Sequence, residues 1–169
     1  MGTRHITVVK SKGKIKVAQY GQWDGYPTGQ GETIQEFLRG VDLDKFKKQV
    51  DALKQYTKKD IEKAYKDAGH DGGEWVTSEV SNRKNQAHPA LDRDYGAGIL
   101  QLIHDGIVTK VQICGDYKPE TDSLDGKTWC EYWYTIDLDK ETVSMNGGKA
   151  YTFKQWKRKG LMKKLEYEE

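Results

Sequence analysis

Residues 4–20 read RHITVVKSKGKIKVAQY. Two runs in this stretch, Arg4–Lys10 and Lys14–Tyr20, are rich in β-branched residues and alternate in part between apolar and polar side chains. The short Ser11–Gly13 connection between them is typical of a tight turn. The stretch therefore predicts a β-hairpin at the start of the chain, and the rest of the fold is built outward from it.

Beyond this hairpin, the spacing of apolar residues predicts a group of helices and then a second hairpin. The predicted helices are Glu32–Arg39, Leu43–Tyr56, Lys58–Ala68 behind a capping box at Thr57, Pro89–His104 and Thr152–Leu165. The predicted strands are Trp75–Val80 within a polar, turn-like region, Ile107–Ile113, and the hairpin arms Trp129–Asp137 and Thr142–Met145.

This order of elements predicts the fold class. Helices grouped between antiparallel strands are typical of an α+β fold and not of an alternating parallel sheet. We therefore expect a single α+β domain over residues 1–169, a layered sandwich in which helices pack on a mainly antiparallel sheet. The two N-terminal strands are expected to lie in the middle of that sheet.

Composition excludes several classes of protein. The chain has 169 residues and a net charge of only +2, so no strong overall field favours nucleic acid as a partner. The basic segment from Lys154 to Lys164 also carries apolar residues at helical spacing, which predicts a solvated helix face. No apolar run has the length of a signal peptide or membrane span. We expect a cytoplasmic protein with no membrane contact, in which Cys114 and Cys130 are reduced, buried thiols.

Metal and cofactor motifs are not apparent in the sequence. The four histidines, His5, His70, His88 and His104, do not have the spacing of known zinc motifs. Neither of the standard glycine-rich phosphate loops is present. The sequence therefore predicts no metal and no cofactor.

The connection after the first hairpin, QYGQWDGYPTGQG at residues 19–31, combines glycine, aromatic and amide residues. Glycine lets a ligand approach the backbone, aromatic rings stack on planar groups, and a helix N-terminus favours an anion. The loop 20–31 is thus predicted to bind a small polar or anionic, nucleotide-like ligand. The predicted ligand-binding residues are Arg4, His5, Tyr20, Gln22, Trp23, Asp24, Tyr26, Gly29, Gln30 and Gly31.

Within this set each type of side chain has an expected role. The aromatic residues would stack on the ligand or wall the site, and the amides with Asp24 would recognise its polar edges. Gly29 and Gly31 would present backbone N–H groups, while Arg4 and His5 would supply positive charge.

Two blocks of the chain resemble a family of small uncharacterised proteins of bacteria, phages and fungi. The first block is GTRH followed by YGQWDGYPTGQG, and the second is CEYWYTIDLD at residues 130–139. The resemblance implies that residues 2–31 form the functional part of the chain. The phage members imply an accessory or counter-defence role, such as the capture of a nucleotide signal.

The N-terminus also resembles that of N-terminal-nucleophile hydrolases of the proteasome and HslV kind. The resemblance implies that cleavage after Gly2 would free Thr3 as the nucleophile, with Lys14 or Lys16 lowering its pKa. Such an amidohydrolase is the first alternative to ligand binding. The second alternative is a protein-interaction module, with exposed aromatic residues as anchors. Besides a small-molecule ligand, a second copy of the chain is an expected partner, in a homo-oligomer.

Overall fold

The structure is a computed structural model, and it describes residues 2–167. The predicted domain span of 1–169 includes Met1, Glu168 and Glu169, which lie outside the described residues. The strands are β1 His5–Ser11, β2 Lys14–Gly21, β3 Lys54–Gln55, β4 Lys110–Val111, β5 Tyr117–Lys118, β6 Ser123–Leu124, β7 Tyr132–Asp137, β8 Thr142–Met145 and β9 Ala150–Thr152.

Helices occupy the middle and the end of the chain. They are α1 Glu32–Gly40, α2 Leu43–Asp51, α3 Lys58–Asp67, α4 Ser78–Ala87, α5 Ile99–His104, α6 Phe153–Trp156 and α7 Leu161–Tyr167. A π-helical turn at Pro27–Gly31 leads directly into α1, and short 3₁₀ turns lie at Pro89–Leu91 and Gly96–Gly98. Among residues 2–167, no helix has both the length and the apolar character needed to cross a membrane.

The main sheet has five strands in the order β2-β1-β7-β8-β9. The β1–β7 pair is parallel and the other three pairs are antiparallel. The predicted α+β class, with a mainly antiparallel sheet and packed helices, is confirmed. The predicted central position holds for β1, but it is wrong for β2, which is an edge strand because β7 takes the other side of β1.

Apolar packing covers both faces of β1, because successive side chains of a strand point to opposite faces. Val9 packs in the larger cluster with buried helix residues such as Phe46 and Trp156. Ile6 and Val8 face a smaller cluster on the other side. His5 lies on the same face as Val9, so its side chain points toward the helices.

Both predicted hairpins and the predicted capping box are confirmed. In the first hairpin, Lys12 and Gly13 have positive φ, and their N–H groups donate to the Asp139 carboxylate at 2.8 and 2.9 Å. The bonds tie the turn of the first hairpin to the turn of the second. The Thr57 side chain accepts from the Asp60 N–H while the Asp60 carboxylate accepts from the Thr57 N–H, which starts α3.

Several predicted boundaries are wrong for local reasons. The helix predicted at Pro89–His104 is reduced to α5, because Gly96 has a φ of +59° that an α-helix cannot contain. The helix predicted at Thr152–Leu165 is likewise divided into α6 and α7 around Gly160, whose φ is +86°.

Three further differences come from pairing and capping. The helix predicted over Leu43–Tyr56 ends at Asp51, because Lys54 and Gln55 form β3, which pairs with β4. The strand predicted at Ile107–Ile113 is reduced to the two residues of β4. The strand predicted at Trp75–Val80 is wrong. Thr77 caps α4 there, its hydroxyl accepting from the Val80 N–H at 3.2 Å.

Candidate functional site

The loop 20–31 is held in part by hydrogen bonds among its own residues. The Gln30 N–H donates to the Asp24 carbonyl at 2.8 Å, and the Gln30 side chain donates to the Trp23 carbonyl at 3.2 Å. The oxygen of the same side chain accepts from the Ala97 N–H at 2.9 Å. The nitrogen of the Gln30 amide therefore holds the loop together, and its oxygen fastens the loop to the segment before α5.

Close packing explains why Gly29 and Gly31 of the loop have no side chain. A Cβ at Gly29 would lie 2.2 Å from the Asp24 carbonyl oxygen, and one at Gly31 would lie 2.7 Å from the Met162 sulfur. The Gly29 N–H already donates to the Tyr26 carbonyl at 2.8 Å. These residues thus allow the chain to pass close to itself, and the Gly29 N–H is engaged inside the loop.

A carboxylate of the chain itself lies at the turn that precedes α1. Glu166 accepts from the Thr28 N–H at 3.1 Å and from the Thr28 hydroxyl at 2.7 Å. These bonds help to lower the pKa of Glu166 although burial opposes them as the largest single influence. A carboxylate from α7 therefore occupies the turn at which the sequence predicts an anionic ligand.

His5 is fully buried under the loop. A Cβ at Gly21 would lie 2.2 Å from its Nε2 atom, one at Gly25 would lie 2.8 Å from its Cβ, and one at Gly96 would lie 2.8 Å from its Cε1. Within residues 2–167, neither ring nitrogen meets a partner at full hydrogen-bond geometry. Three glycines thus enclose the imidazole.

Burial lowers the pKa of His5 from 6.5 to about 4, although the backbone of Trp23 and the charge of Asp24 oppose this shift. The imidazole is therefore neutral near pH 7. The expectation that His5 supplies positive charge to a ligand is wrong, because the ring has no access to solvent and its charged form is disfavoured.

Arg4 borders an open groove beside the loop, which we call the Arg4 groove. It is lined by Gly2, Arg4, Trp129 and Glu131 and has a volume of about 610 Å³. One guanidinium nitrogen of Arg4 donates to the Thr128 carbonyl at 3.3 Å. Arg4 forms no ion pair within residues 2–167. Most of its donors are thus available to an anion.

Trp129 presents its ring on the same groove. Its side chain is 77% exposed, and its φ of +59° lies in the left-handed region, which is rare for a bulky residue. Because the indole is exposed, the protein forgoes the free energy of burying its apolar area. The backbone conformation adds strain. Both features are typical of a residue retained for contact with a ligand or a partner.

Asp116 holds the turn that positions Trp129. This buried carboxylate accepts from the Asp125 N–H at 3.0 Å, from the Lys127 N–H at 3.2 Å and from both the N–H and the hydroxyl of Thr128. The backbone immediately before Trp129 is therefore fixed by one side chain.

Replacing Asp116 with alanine is expected to lower the free energy of unfolding by about 2 to 3 kcal/mol, since it leaves several buried donors unpaired. Chemical denaturation measures this loss. The matched control is Asp125→Ala, because within residues 2–167 the Asp125 side chain accepts one backbone hydrogen bond, from Lys127 at 3.0 Å, besides its ion pairs with Lys118 and Lys127. Equal losses in the two variants would contradict the assigned role of Asp116.

A second exposed indole and a second arginine lie beside the start of the loop, outside the residues that line the Arg4 groove. The Trp23 ring is 46% exposed, and its Nε1 donates to Asp94 at 2.8 Å. It packs so closely on Gly2 that a Cβ there would lie 2.4 Å from the ring. The Gln22 N–H donates to the Arg93 carbonyl at 2.8 Å, and this bond fastens the start of the loop.

Tyr20 lies near the end of β2, where the charges of two arginines reach it. Burial raises the pKa of Tyr20, while the positive charges of Arg4 and Arg93 oppose the rise. Arg93, like Arg4, is without an ion pair in the described part of the chain. Two arginines that have no ion pair among the described residues therefore lie near the end of the first hairpin, with the carboxylates of Glu131 and Asp94 in the same region.

Thr3 lies on a separate depression on the other side of Glu131. This depression has a volume of about 530 Å³ and is also lined by Tyr26, Thr28, Glu131, Tyr132, Glu166 and Tyr167. The Thr3 carbonyl accepts from the Gly25 N–H at 2.9 Å. None of the lining residues is a lysine or a histidine.

The lysines proposed to activate Thr3 lie at the far end of the hairpin. Lys14 pairs with Ser11, whereas Gly21 pairs with His5 beside Thr3. At about 3.3 Å per residue, Lys14 is therefore more than roughly 20 Å from Thr3. Lys16 lies near the same turn, and its Nζ donates to the Asp51 carbonyl at 3.5 Å. The prediction that either lysine lowers the pKa of Thr3 is wrong.

The two cysteines lie where burial disfavours their thiolate form. Both cysteines are free, and burial raises the pKa of Cys130 to about 11 and also raises that of Cys114. In residues 2–167, no three His, Cys, Asp or Glu side chains are grouped as metal ligands. In the basic C-terminal segment, Phe153 and Trp156 are buried and the lysines face outward.

The structure divides the predicted site residues into two groups. Arg4 lines the Arg4 groove, Trp23 packs on Gly2 at its edge, and Tyr20 and Gln22 lie at or just after the end of β2. The others serve the loop itself or its packing: His5, Asp24, Tyr26, Gly29, Gln30 and Gly31. Tyr26, for example, donates from its hydroxyl to Asp24 at 3.0 Å.

Sequence reasoning missed Trp129, Glu131 and Arg93 as site residues. Trp129 reads as the first residue of a strand, and only the turn at Gly126 before it indicates a loop. Arg93 and Glu131 are far from the loop in sequence and approach it only through the sheet and the segment before α5. No local pattern reveals that proximity.

Comparison with known protein families, with curated proteins and with solved structures gives no match at a significant level. Both resemblances described above, to the small-protein family and to the N-terminal-nucleophile hydrolases, therefore stay predictions.

Proposed function

We propose that this protein binds a small planar anion, of the nucleotide kind, in the Arg4 groove. The observation that carries the proposal is the meeting of an unpaired guanidinium, Arg4, with a strained and exposed indole, Trp129, on one groove. The groove volume of about 610 Å³ is within the usual range for small-molecule sites.

Each part of the groove has a distinct task in this proposal. The Arg4 guanidinium offers paired N–H donors that match the oxygens of a phosphate or carboxylate. The Trp129 ring stacks on the planar part of the ligand, as exposed aromatic side chains do with nucleobases. The Glu131 carboxylate accepts from amino or hydroxyl groups of the ligand.

Arg93 and Trp23 extend this surface toward the loop. Their positive charge and ring face favour a ligand with more than one phosphate or more than one ring. The loop 20–31 then acts as a scaffold that fixes the positions of Trp23 and the end of β2, because several of its polar groups are hydrogen-bonded within the fold. Capture of a nucleotide signal, in an accessory or counter-defence role, is the biological form of this proposal.

Isothermal titration calorimetry tests the proposal with mononucleotides, cyclic dinucleotides, nucleosides and inorganic phosphate. We expect binding of at least one phosphorylated nucleotide, with the nucleoside and phosphate alone binding more weakly. Arg4→Ala and Trp129→Ala are each expected to weaken binding by at least about tenfold, the effect of losing one good polar or stacking contact.

Two matched variants control for loss of charge and loss of an exposed ring. Arg158→Ala removes an exposed arginine and Trp75→Ala removes an exposed tryptophan, and neither residue lines the Arg4 groove. The proposal fails if no tested nucleotide binds with a Kd below about 1 mM. It also fails if the two groove variants bind as tightly as these controls.

A further inference from the structure

The depression on which Thr3 lies shares Glu131 with the Arg4 groove but has a different lining, and we call it the tyrosine depression. Within residues 2–167 its lining includes three tyrosines and two glutamates and no lysine, arginine or histidine. The tyrosines are Tyr26, Tyr132 and Tyr167, and the glutamates are Glu131 and Glu166. Its volume of about 530 Å³ is within the usual range for small-molecule sites.

Packing against the core sets the position of the Tyr132 ring. This ring stacks on the ring of Tyr134, with 6.3 Å between the ring centroids and 8° between the planes. Tyr134 is fully buried, and its hydroxyl donates to the Gly25 carbonyl at 2.6 Å. One wall of the tyrosine depression is therefore held in place before a ligand arrives, which lowers the entropic cost of binding.

Carboxylates hold the other two rings. The Tyr26 hydroxyl donates to Asp24 at 3.0 Å, and this bond raises the pKa of Tyr26. A hydrogen bond to Glu166 likewise raises the pKa of Tyr167. Both phenols are therefore uncharged at neutral pH, and the negative face of such a ring attracts a cation.

The carboxylates of the tyrosine depression are not paired with a positive charge of the described chain. Neither Glu131 nor Glu166 forms an ion pair within residues 2–167. Burial raises the pKa of Tyr132, and the negative charges of Glu166 and Glu131 raise it further. Arg4 acts on Tyr20, but it is not among the influences on Tyr132 and does not line the depression. The lining is therefore both aromatic and negative.

The two glutamates offer different contacts. Glu166 accepts from the Thr28 N–H at 3.1 Å and from the Thr28 hydroxyl at 2.7 Å, so it is engaged in the fold and contributes mainly its charge. Glu131 is exposed, and its backbone N–H donates to the Arg4 carbonyl at 3.0 Å. The backbone of Glu131 is thus fixed, and its carboxylate can accept from an N–H or O–H group of a ligand.

An organic cation suits this lining better than a metal ion does. Within residues 2–167, no three His, Cys, Asp or Glu side chains are grouped as metal ligands, whereas Ca²⁺ and Mg²⁺ take about six or more oxygen ligands. Tyrosine rings instead attract quaternary and other alkylated ammonium ions, whose alkyl groups pack on the ring faces.

We propose that the tyrosine depression binds a small alkylated ammonium ion of the choline kind. The three tyrosine rings surround the alkyl groups of the ion, and the two glutamates supply the opposite charge. This inference goes beyond the proposed nucleotide site and does not depend on it, because Glu131 is the only one of these five residues that also lines the Arg4 groove.

Isothermal titration calorimetry with choline chloride tests the proposal, with sodium chloride at the same concentrations as the blank. We expect choline to bind with a Kd below about 1 mM. The matched probe is the neutral isostere of choline, in which a tert-butyl group replaces the trimethylammonium group. It has the same shape without the charge, so it is expected to bind at least about tenfold more weakly.

Two variants assign the binding to the depression. Tyr167→Ala is expected to weaken choline binding by at least about threefold, the loss of one exposed cation–π contact. Its control is Tyr95→Ala, since Tyr95 is also exposed and does not line the depression. Glu131→Gln keeps the size of the side chain and removes its charge, and a similar loss is expected. Its control is Glu120→Gln, at an exposed position outside the depression.

Tyr167 is 75% exposed and Glu131 is also exposed, so both variants are expected to stay folded. Three results would overturn the proposal. The first is the absence of choline binding with a Kd below about 1 mM. The second is a neutral isostere that binds as tightly as choline, and the third is choline binding in the two depression variants that equals the binding in their controls.

Discussion

Replacing Gly29 with alanine is expected to lower the free energy of unfolding by about 3 kcal/mol, at the upper end of the usual effect of overpacking. The added Cβ would lie 2.2 Å from the Asp24 carbonyl oxygen. That oxygen cannot move easily, because it accepts from the Gln30 N–H at 2.8 Å and Asp24 itself has a φ of +57°. The loop must therefore open to admit the methyl group.

Gly40→Ala is the matched control for this prediction. Gly40 ends α1, and an added Cβ there would have no atom within 4 Å. The control is expected to change the free energy of unfolding by less than about 1 kcal/mol, because alanine favours helix over glycine by that amount. Chemical denaturation compares the two variants, and equal losses would show that the close approach at Gly29 is not what determines stability.

Acid is expected to destabilise the protein through His5. Between pH 7 and pH 4 the unfolded chain takes up a proton on His5, whose ordinary pKa is 6.5, while the folded chain resists it until about pH 4. The contribution of the neutral, buried His5 to the free energy of unfolding is therefore fully present above pH 6.5 and is lost as the pH falls toward 4. The difference between these values corresponds to about 3 kcal/mol.

His5→Leu tests this assignment, because leucine keeps an apolar side chain of similar size in the glycine enclosure and removes the titrating group. Denaturation at pH 7 and at pH 4 should show that this variant loses about 3 kcal/mol less than the unaltered protein between the two values. Ionised carboxylates with lowered pKa values, such as those of Asp51 and Asp60, contribute to acid sensitivity in both proteins and cancel in the comparison.

His70→Gln is the control for the loss of a histidine in general, since His70 lies on the connection after α3 and not in the core. We expect it to follow the pH dependence of the unaltered protein. If His5→Leu and the unaltered protein lose the same free energy between pH 7 and pH 4, the imidazole is not the group responsible.

Local pattern was sufficient for the parts of the fold that depend on neighbouring residues. The turn at Lys12 and Gly13, the capping box at Thr57 and the second hairpin all follow from side chains a few positions apart. Pattern failed where a distant contact changes the backbone. The break before α5 at Gly96 is such a case, because that glycine packs against His5, ninety-one positions earlier in the chain.

The same distinction applies to the candidate site. The composition of residues 19–31 indicated a region of the molecule that includes Trp23, which packs on Gly2 at the edge of the Arg4 groove. It did not reveal that most of the loop's polar groups would bond to one another, because those bonds depend on the folded path of the chain.

The α+β class and the two hairpins could thus be predicted from the sequence. Tertiary structure alone decided that β7 pairs in parallel beside β1, which places Glu131 and Trp129 next to Arg4. It also decided that His5 is buried and neutral and that Glu166 occupies the turn before α1. The physical reason is that hairpins and caps are formed by residues close in sequence, whereas burial, pKa and the meeting of distant side chains depend on how the elements pack.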